Sequence, residues 1–177
     1  GKMKKFFMIF IMCILIFSCN KNEKYKVETV EAKPTQENLF KNIDVDKLAT
    51  RLEEVLLENG IKVDDFKDLD SDGKAFYYST LNGSTGEVLT INYESLTPTA
   101  ILAKIENVDA NKMELIKKIS FSVIKASDIN ITDEEADKIF EELLQKLDES
   151  VSVSVTYSNG LNYGIDITGE EMIFYVK

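Results

Sequence analysis

Apolar residues recur at helical spacing in three stretches of the chain, and the first of them spans residues 44–59. The residues on its apolar face are Leu48, Leu52, Val55 and Leu56. Asp44 stands before this face as a candidate N-cap, and Ile43 with Leu48 can form a hydrophobic staple across the first turn. Gly60 follows the last turn, where glycine commonly ends a helix. The pattern predicts a helix that packs on a core.

The second and third helical stretches lie further along the chain. Residues 132–147 give the clearer pattern, because Thr132 and Glu135 have the spacing of a capping box and one apolar face follows them. That face consists of Ala136, Ile139, Phe140, Leu143, Leu144 and Leu147. Residues 112–126 fit a helix or, from Ile119 onward, a strand. We predict a helix, because the first half of this stretch does not alternate.

Apolar and polar residues alternate in most of the remaining chain, which predicts β-strands. The predicted strands are residues 74–81, 87–94, 99–108, 151–157, 161–168 and 172–176. A glycine-rich turn at 82–86 joins the first two strands into a hairpin. Asn159 and Gly160 lie between the fourth and fifth strands, and this dipeptide is a strong hairpin signal.

Together these elements predict a single α+β domain over residues 37–177, with an antiparallel sheet of about six strands packed against three helices. Residues 52–56 (Leu-Glu-Glu-Val-Leu) are similar to residues 140–144 (Phe-Glu-Glu-Leu-Leu), and Thr-Gly-Glu occurs at both 85–87 and 168–170. We therefore consider a duplicated helix-plus-hairpin unit with all helices on one side of the sheet. Chance similarity of two amphipathic helices and two turns is the alternative.

The composition excludes several kinds of chemistry. The chain has no histidine, so Ser-His-Asp and Cys-His catalysis, histidine-ligated zinc and histidine pH switches are excluded. From Thr35 onward, 14 Lys and Arg stand against 28 Asp and Glu, a difference of −14. This charge argues against binding to nucleic acid or lying flat on anionic lipid. It suits a cationic partner, and an acidic surface that only maintains solubility is the alternative.

The N-terminal segment has the pattern of an export signal. Lys4 and Lys5 precede an apolar run over residues 6–17, which is shorter than the ~20 residues that span a membrane. We predict a signal peptide over residues 1–18. The two residues before Met3, the expected initiator, look like a cloning scar or a misplaced start.

The apolar run ends in Ile16-Phe17-Ser18-Cys19, which resembles the lipobox of bacterial lipoproteins, although Phe17 stands where a small residue is usual. The resemblance implies cleavage before Cys19, a diacylglyceryl thioether on its sulfur and, in many bacteria, acylation of the new amino terminus. Two or more acyl chains hold a protein stably at a membrane, here on the extracytoplasmic side of the cell envelope. Residues 20–36 are polar and of mixed charge, which predicts a disordered tether. A plain secretory signal with an incidental cysteine is the alternative.

One acidic segment has the first half of a Ca²⁺-binding loop. Asp68, Asp70, Asp72 and Gly73 form the pattern D-x-D-x-D-G, in which alternate carboxylates converge on one ion and the glycine permits a sharp bend. The twelfth position is Ser79 in place of the bidentate glutamate, and a strand is predicted where a helix usually follows. Ca²⁺ is the only cofactor that the sequence suggests, and an acidic turn before the first strand is the alternative.

Two short motifs near the end of the chain resemble the small PepSY module. Residues 131–136 (Ile-Thr-Asp-Glu-Glu-Ala) are similar to its I-T-x-E-E-A helix start, and residues 166–170 (Asp-Ile-Thr-Gly-Glu) to its D-x-x-T-G-E stretch, with one residue fewer. The similarity covers about residues 129–177. It implies peptidase inhibition or another non-catalytic extracytoplasmic role.

The sequence as a whole predicts a membrane-anchored extracytoplasmic lipoprotein that acts as a non-catalytic binding module, of the inhibitor or immunity type, for a protein of the envelope. A carrier of Ca²⁺ or of a small cationic solute is the alternative. A carboxylate-only hydrolase would need two acidic side chains in one cleft, and no pair stands out. Tyrosine is common at recognition surfaces, but strands also favour it for core and cross-strand packing. A strand would place Tyr77 and Tyr78 on opposite faces, so we expect at least one of them to meet solvent or the tether.

Overall fold

Seven antiparallel strands form one sheet in the computed structural model, which describes residues 39–71 and 74–177. The strands are β1 (Lys67–Ser71), β2 (Lys74–Leu81), β3 (Ser84–Glu94), β4 (Thr97–Ile105), β5 (Ser152–Thr156), β6 (Asn162–Thr168) and β7 (Glu171–Val176). The helices are the single turn α1 (Leu39–Asn42) and the longer α2 (Val45–Glu58), α3 (Met113–Ser127) and α4 (Asp133–Lys146). Across the sheet the strands follow the order β1-β2-β3-β4-β7-β6-β5. The α+β fold predicted from the sequence is confirmed.

Local hydrogen bonds set the ends of the helices where the sequence predicted them. At the start of α2 the Asp44 side chain accepts from the Lys47 amide at 2.9 Å. At its end, the amides of Gly60 and Ile61 donate to the carbonyls of Leu57 and Leu56. Gly60 has φ +79°, the left-handed conformation that this C-terminal motif requires. The predicted helix over residues 44–59 is thereby confirmed with both of its caps.

The predicted capping box of α4 is present. The Glu135 amide donates to Thr132 Oγ1 at 3.2 Å, and the Glu135 carboxylate accepts from the Thr132 amide at 2.9 Å. The ambiguous stretch at 112–126 is helical, as predicted. It forms α3, preceded by a 3₁₀ turn over Ala110–Lys112.

The core lies between the sheet and the long helices. Helix α2 lies over β3 and β4, α3 over β4 and β7, and α4 over β5 and β6. Alternate residues of the strands point into this layer and are fully buried, among them Leu89, Ile91, Ile101, Ile105, Ile165 and Phe174. Each such side chain contributes about 1.5–3 kcal/mol by leaving water. All three long helices lie on one face of the sheet, so the opposite face carries the remaining alternate residues.

Strand β1 is the main departure from the prediction, which placed no strand before residue 74. Five residues of this acidic segment pair with β2, from Lys67 opposite Tyr78 to Ser71 opposite Lys74. Aspartate is disfavoured in strands, so neither composition nor alternation marks the segment. Its backbone nevertheless completes hydrogen bonds that β2 would otherwise lack on that side. The sheet therefore has seven strands instead of about six.

Two hairpin turns place successive residues at positive φ. Asn82 and Gly83, with φ +53° and +68°, join β2 to β3, a shorter turn than the 82–86 predicted. Ser95 and Leu96, with φ +48° and +67°, join β3 to β4. The Leu96 carbonyl accepts from the amide of Val45, the first residue of α2, at 2.9 Å. This second turn therefore also positions the start of a helix.

Each half of the chain contains a long helix followed by a three-stranded meander, although β1 and α3 have no counterpart in the other half. Helix α2 precedes the meander β2-β3-β4 and helix α4 precedes the meander β5-β6-β7, and the two halves meet where β4 pairs with β7. This order agrees with the hypothesis of a duplicated unit, although each unit has three strands where a hairpin was predicted. The Thr-Gly-Glu segments are not equivalent. Residues 85–87 lie inside β3, whereas residues 168–170 end β6 and form the turn to β7.

Candidate interaction surface

The face of the sheet that points away from the long helices carries a set of large apolar and aromatic side chains. We call it the open face. It includes Leu69, Phe76, Tyr78, Val88, Leu102, Ile173 and Tyr175. Leu69 is 44% exposed and the others are half-buried. No helix within residues 39–71 and 74–177 packs on this face. The open-face side chains are therefore shielded from solvent only by their neighbours within the sheet.

The strand register aligns one row of open-face residues across the whole sheet. In this central row, successive cross-strand partners are Lys67, Tyr78, Thr90, Leu102, Tyr175, Gly164 and Ser154. Side chains directly opposite one another on neighbouring strands have Cβ atoms about 5 Å apart. Apart from Gly164, which has no side chain, neighbouring members of the row are therefore close enough to contact one another.

Tyr175 lies near the middle of the central row and is held by its neighbours. Its ring covers the backbone of Gly164, where an added Cβ would overlap the ring. Lys177 Nζ lies 5.0 Å from the ring centroid, within the range of a cation–π contact. Burial and the nearby Asp166 carboxylate raise the pKa of the Tyr175 hydroxyl. The ring is thus fixed flat on the sheet and stays neutral at physiological pH.

A second aromatic group lies at the β1 end of the row. The rings of Phe76 and Tyr78 have centroids 6.2 Å apart, and Lys67 Nζ lies 5.9 Å from the Tyr78 ring. Leu69 pairs with Phe76 across β1 and β2. Aromatic groups flanked by lysine stems give large contact area at little cost in side-chain entropy.

The open face is less acidic than the domain as a whole. It carries Lys67, Lys104 and Lys177 together with the carboxylates of Asp166 and Glu171. The chain from residue 35 onward has 14 basic and 28 acidic residues, so most of the negative charge lies elsewhere. An apolar, nearly neutral patch surrounded by acidic surface is typical of a site that contacts another macromolecule.

Two tyrosines under the β1 edge of the sheet, on the helix side, each donate to an aspartate. Tyr77 Oη lies 2.7 Å from Asp46 Oδ1, and Tyr93 Oη lies 2.7 Å from Asp68 Oδ1. The two rings contact edge to face, with centroids 5.2 Å apart. Hydrogen bonding to Asp46 raises the pKa of Tyr77, and hydrogen bonding to Asp68 that of Tyr93, each to about 12. These contacts fix Asp46 and Asp68 beside the edge. Tyr77 and Tyr78 lie on opposite faces, as predicted.

A buried polar cluster joins the end of α3 to the turn between β5 and β6. Asp128 is 2% exposed, and its carboxylate accepts from the Asn130 amide at 2.9 Å and from Asn159 Nδ2 at 3.0 Å. The Tyr163 hydroxyl shares a hydrogen bond with Ser127 Oγ at 2.7 Å and accepts from Asn159 Nδ2 at 3.3 Å. Burial raises the pKa of Tyr163 to about 12. The cluster fastens a hairpin to a helix, and its groups are occupied by one another.

The residues singled out from the sequence are placed as follows. Asp68 and Asp70 lie in β1 on the side of the sheet that faces the helices. Asp72, Gly73 and Cys19 lie outside the described residues, as do the predicted signal peptide and tether. Among residues 39–71 and 74–177, no group of three or more Asp, Glu, Cys or His side chains could hold a metal ion.

The Ca²⁺ site therefore stays a prediction that a melting curve tests directly. If Asp68, Asp70 and Asp72 bind the ion, millimolar Ca²⁺ raises the melting temperature, because a ligand bound only by the folded state stabilises it by mass action. The variant Asp70→Asn should abolish that rise while leaving the melting temperature without Ca²⁺ close to the original. An equal rise in both proteins would indicate a non-specific ionic effect.

The chain was compared with protein families, curated proteins and solved structures, and no family model, protein or structure matches it. The similarity to the PepSY module therefore stays a prediction. In the structure, residues 131–136 form the capped start of α4, and residues 166–170 form the end of β6 and the turn to β7. Within the part of the chain that the structure describes, no helix combines the length and apolarity needed to cross a bilayer.

The sequence predicted six of the seven strands but not the surfaces that they build. The row through Thr90, Leu102 and Tyr175 depends on register, which turns and core packing set together. The Asp128 cluster joins residues from three separate segments. One signal was available, namely Gly164 in the middle of an otherwise regular strand, because such a glycine often marks a site of close approach.

Proposed function

We propose that this protein is a lipid-anchored, non-catalytic interaction module that binds another protein of the bacterial cell envelope through the open face of its sheet. The observation that carries the proposal is the central row, which runs across all seven strands and includes Tyr78, Leu102 and Tyr175. Contiguous apolar and aromatic surface that no element of the same chain covers is typical of protein–protein interaction sites. Tyrosine in particular is enriched at the centre of such sites.

The charge distribution favours a protein over a nucleic acid or a membrane surface. Phosphate-rich partners would be repelled by a domain with 28 acidic and 14 basic residues from position 35 onward. A protein surface with apolar residues at its centre and basic residues at its rim would match both the open face and its acidic surroundings. Electrostatic complementarity of this kind speeds association and selects partners.

The lipid anchor gives the module its place of action. Acyl chains on Cys19 would hold the protein at the membrane, on the side to which the signal peptide directs export. Residues 20–36 would reach at most about 60 Å if fully extended. The module would therefore search for its partner within a thin shell above the bilayer, where the effective concentration of envelope proteins is high.

Site-specific photo-crosslinking tests the proposal in the full lipidated protein. A photoreactive phenylalanine at Thr90, in the centre of the open face, should crosslink to one protein in native envelopes. The matched control places the same group at Glu142, which is exposed on α4 on the opposite side of the molecule. A crosslink from position 142 alone would move the interface to the helices. Repeated failure at 90, 102 and 175 would contradict a protein-binding role for the open face.

A separate variant tests the proposed lipid anchor. The Cys19→Ala form should lose membrane association and most of the crosslink in envelopes, while it keeps its affinity for the purified partner. If Cys19→Ala fractionates with the membrane as the original protein does, the lipid-anchor part of the proposal is wrong.

A further inference from the structure

The sheet has two edges, and side chains occupy part of the outward backbone of one of them, β5. Just beyond each end of β5, an odd-numbered residue forms a backbone hydrogen bond on the β6 side. By alternation, the backbone N–H and C=O groups of the even-numbered residues of β5 point outward. The outward amide of Ser152 donates to Ser150 Oγ at 3.3 Å, and this hydroxyl donates to the Ser152 carbonyl at 3.1 Å. The outward carbonyl of Ser154 accepts from Lys146 Nζ at 3.0 Å. Side chains thus protect this edge from pairing, as in many natural sheets.

The other edge, β1, presents two residues outward. The register of β2 with β3 shifts between Thr80 and Leu81, but β2 itself is one continuous strand, so its odd-numbered residues bond to β3 and its even-numbered ones to β1. The Thr80 carbonyl, which accepts from the Asp64 amide, follows the same alternation. Because Tyr78 and Phe76 pair with Lys67 and Leu69, those β1 residues face β2. The amides and carbonyls of Asp68 and Asp70 therefore point away from the sheet.

The side chains on the two sides of β1 differ sharply in character. On the open face, Leu69 is 44% exposed and continues the apolar surface of Phe76 and Tyr78. On the helix side lie the carboxylates of Asp68 and Asp70, with Asp46 held nearby by Tyr77. Among the lysine and arginine side chains that the structure describes, none forms an ion pair with these three aspartates.

From this arrangement we infer that β1 is a docking edge to which a protein partner adds an extended strand with alternating basic and apolar residues. The partner's backbone would pair with the outward groups of Asp68 and Asp70. Its basic side chains would meet the carboxylates, and its apolar side chains would extend the open face beside Leu69. The inference rests on the proposed function, in that it specifies how the protein partner is engaged. Strand addition of this kind obtains affinity from the backbone and selectivity from alternate side chains.

A second copy of the chain does not suit this edge. Antiparallel pairing of β1 with β1 of another copy would bring Asp68 and Asp70 close to the same residues of that copy. Like charges opposite one another destabilise a strand pair. The same carboxylates therefore disfavour self-association and favour a basic strand, which is how specificity is often built.

The test uses short peptides and the full chain. The probe is a nine-residue peptide in which Lys alternates with Val, and its controls are an isomer with all Lys residues in one block and a version with Glu for Lys. Binding is measured by titration calorimetry at low salt. We expect the alternating peptide to bind at least ten-fold more tightly than the isomer and the Glu version not to bind. On binding, hydrogen exchange should slow at the amides of Asp68 and Asp70.

Two substitutions at one position separate the backbone from the charge. Asp70→Ala removes the carboxylate, which should weaken binding about three-fold. Asp70→Pro removes the carboxylate and also the outward N–H, and should weaken binding by about a further five-fold. Because that N–H is not used in pairing with β2, proline is compatible with this edge position. A melting curve confirms that both variants fold, and Leu69→Ala provides a second folded variant with a smaller apolar contact.

Each result of these experiments either supports the docking edge or argues against it. Equal affinities of Asp70→Pro and Asp70→Ala, equal binding of the alternating and block peptides, or unchanged exchange at Asp68 and Asp70 would overturn it. Photo-crosslinking from Thr90 that persists in Asp70→Pro would then show that the open face binds a protein without using the edge. Loss of crosslinking from the open face together with tight peptide binding would instead overturn the proposed function and leave the docking edge.

Discussion

The ring of Tyr175 lies directly over Gly164 on the neighbouring strand, in the space that a side chain at position 164 would fill. The contact covers backbone that would otherwise be open to solvent, and it fixes the ring at the centre of the surface proposed to bind a partner. The same type of aromatic cover over a strand glycine is used to stabilise designed sheets.

Gly164→Ala should therefore alter the surface more than the fold. The new Cβ meets the far end of the Tyr175 side chain, which can swing outward. We expect a stability change within about 1 kcal/mol, because the lost contact is offset by the better strand propensity of alanine. Crosslinking from Thr90 should fall several-fold, whereas Tyr175→Phe should leave it nearly unchanged. Urea denaturation and crosslink yield are the two measurements. A loss of stability above 3 kcal/mol would show that the ring cannot move.

Substitutions in the turn at Ser95 and Leu96 should stabilise the protein. Both residues have positive φ, at +48° and +67°, which costs about 1 kcal/mol or more for a residue such as leucine. Replacing them with Asn and Gly, the pair found in the other hairpin turn, should raise the free energy of unfolding by about 1 kcal/mol. The reverse control is Gly83→Ala, at φ +68° with open space around its Cβ position. It should lower stability by a similar amount.

Tyr163 should make stability fall at high pH. Its pKa in the folded protein is raised to about 12 from the ordinary value of 10.0. Between these values the unfolded state releases a proton that the folded state keeps, so stability falls as pH rises from about 10 to about 12. At pH 8, Tyr163→Phe should cost about 1–3 kcal/mol, because Ser127 and Asn159 lose a buried partner. Urea titrations at several pH values should show this difference shrinking above pH 10. A constant difference would contradict the assignment.

The ion pair of Glu87 and Lys112 should respond unequally to the loss of its two members. Their side chains are 3.2 Å apart, with Glu87 8% and Lys112 26% exposed. Lys112 also donates to the Glu106 carbonyl. Lys112→Met leaves a buried carboxylate without its counter-ion and should cost about 3 kcal/mol. Glu87→Gln leaves a partly exposed ammonium that still donates to the Glu106 carbonyl, and it should cost about 1 kcal/mol. Midpoints of urea unfolding measure both, and equal costs would argue against the burial of Glu87.

The helices could be predicted closely because the signals that end them are local. Asp44, Gly60 and the Thr132–Glu135 box each act within one turn, so a few neighbouring residues contain the whole signal. Strand β1 could not be predicted in this way. Its sequence is polar and acidic, and it is a strand only because β2 provides hydrogen-bonding groups on that side.

The candidate surfaces were harder to foresee than the fold. Alternation showed that Tyr77 and Tyr78 point to opposite faces, but it could not show that Tyr78 and Tyr175 share one row. That row requires the register of all seven strands, and each register depends on a turn and on the packing of the opposite face. The lipid anchor proposed at Cys19 is the reverse case, because it rests on the sequence alone and Cys19 lies outside the described residues.

The pairing of β4 with β7 determines when the chain can fold. Residues 101–105 pair with residues 172–176. The two halves can therefore join only after about seventy intervening residues have been synthesised. A ribosome or secretion channel releases residues in order, and β7 comes last of the seven strands. Until then the chain lacks the strand that unites its sheet, and contacts this distant in sequence form slowly. A chain released from its N-terminal end therefore completes its sheet only once residues 172–176 are free to pair with β4.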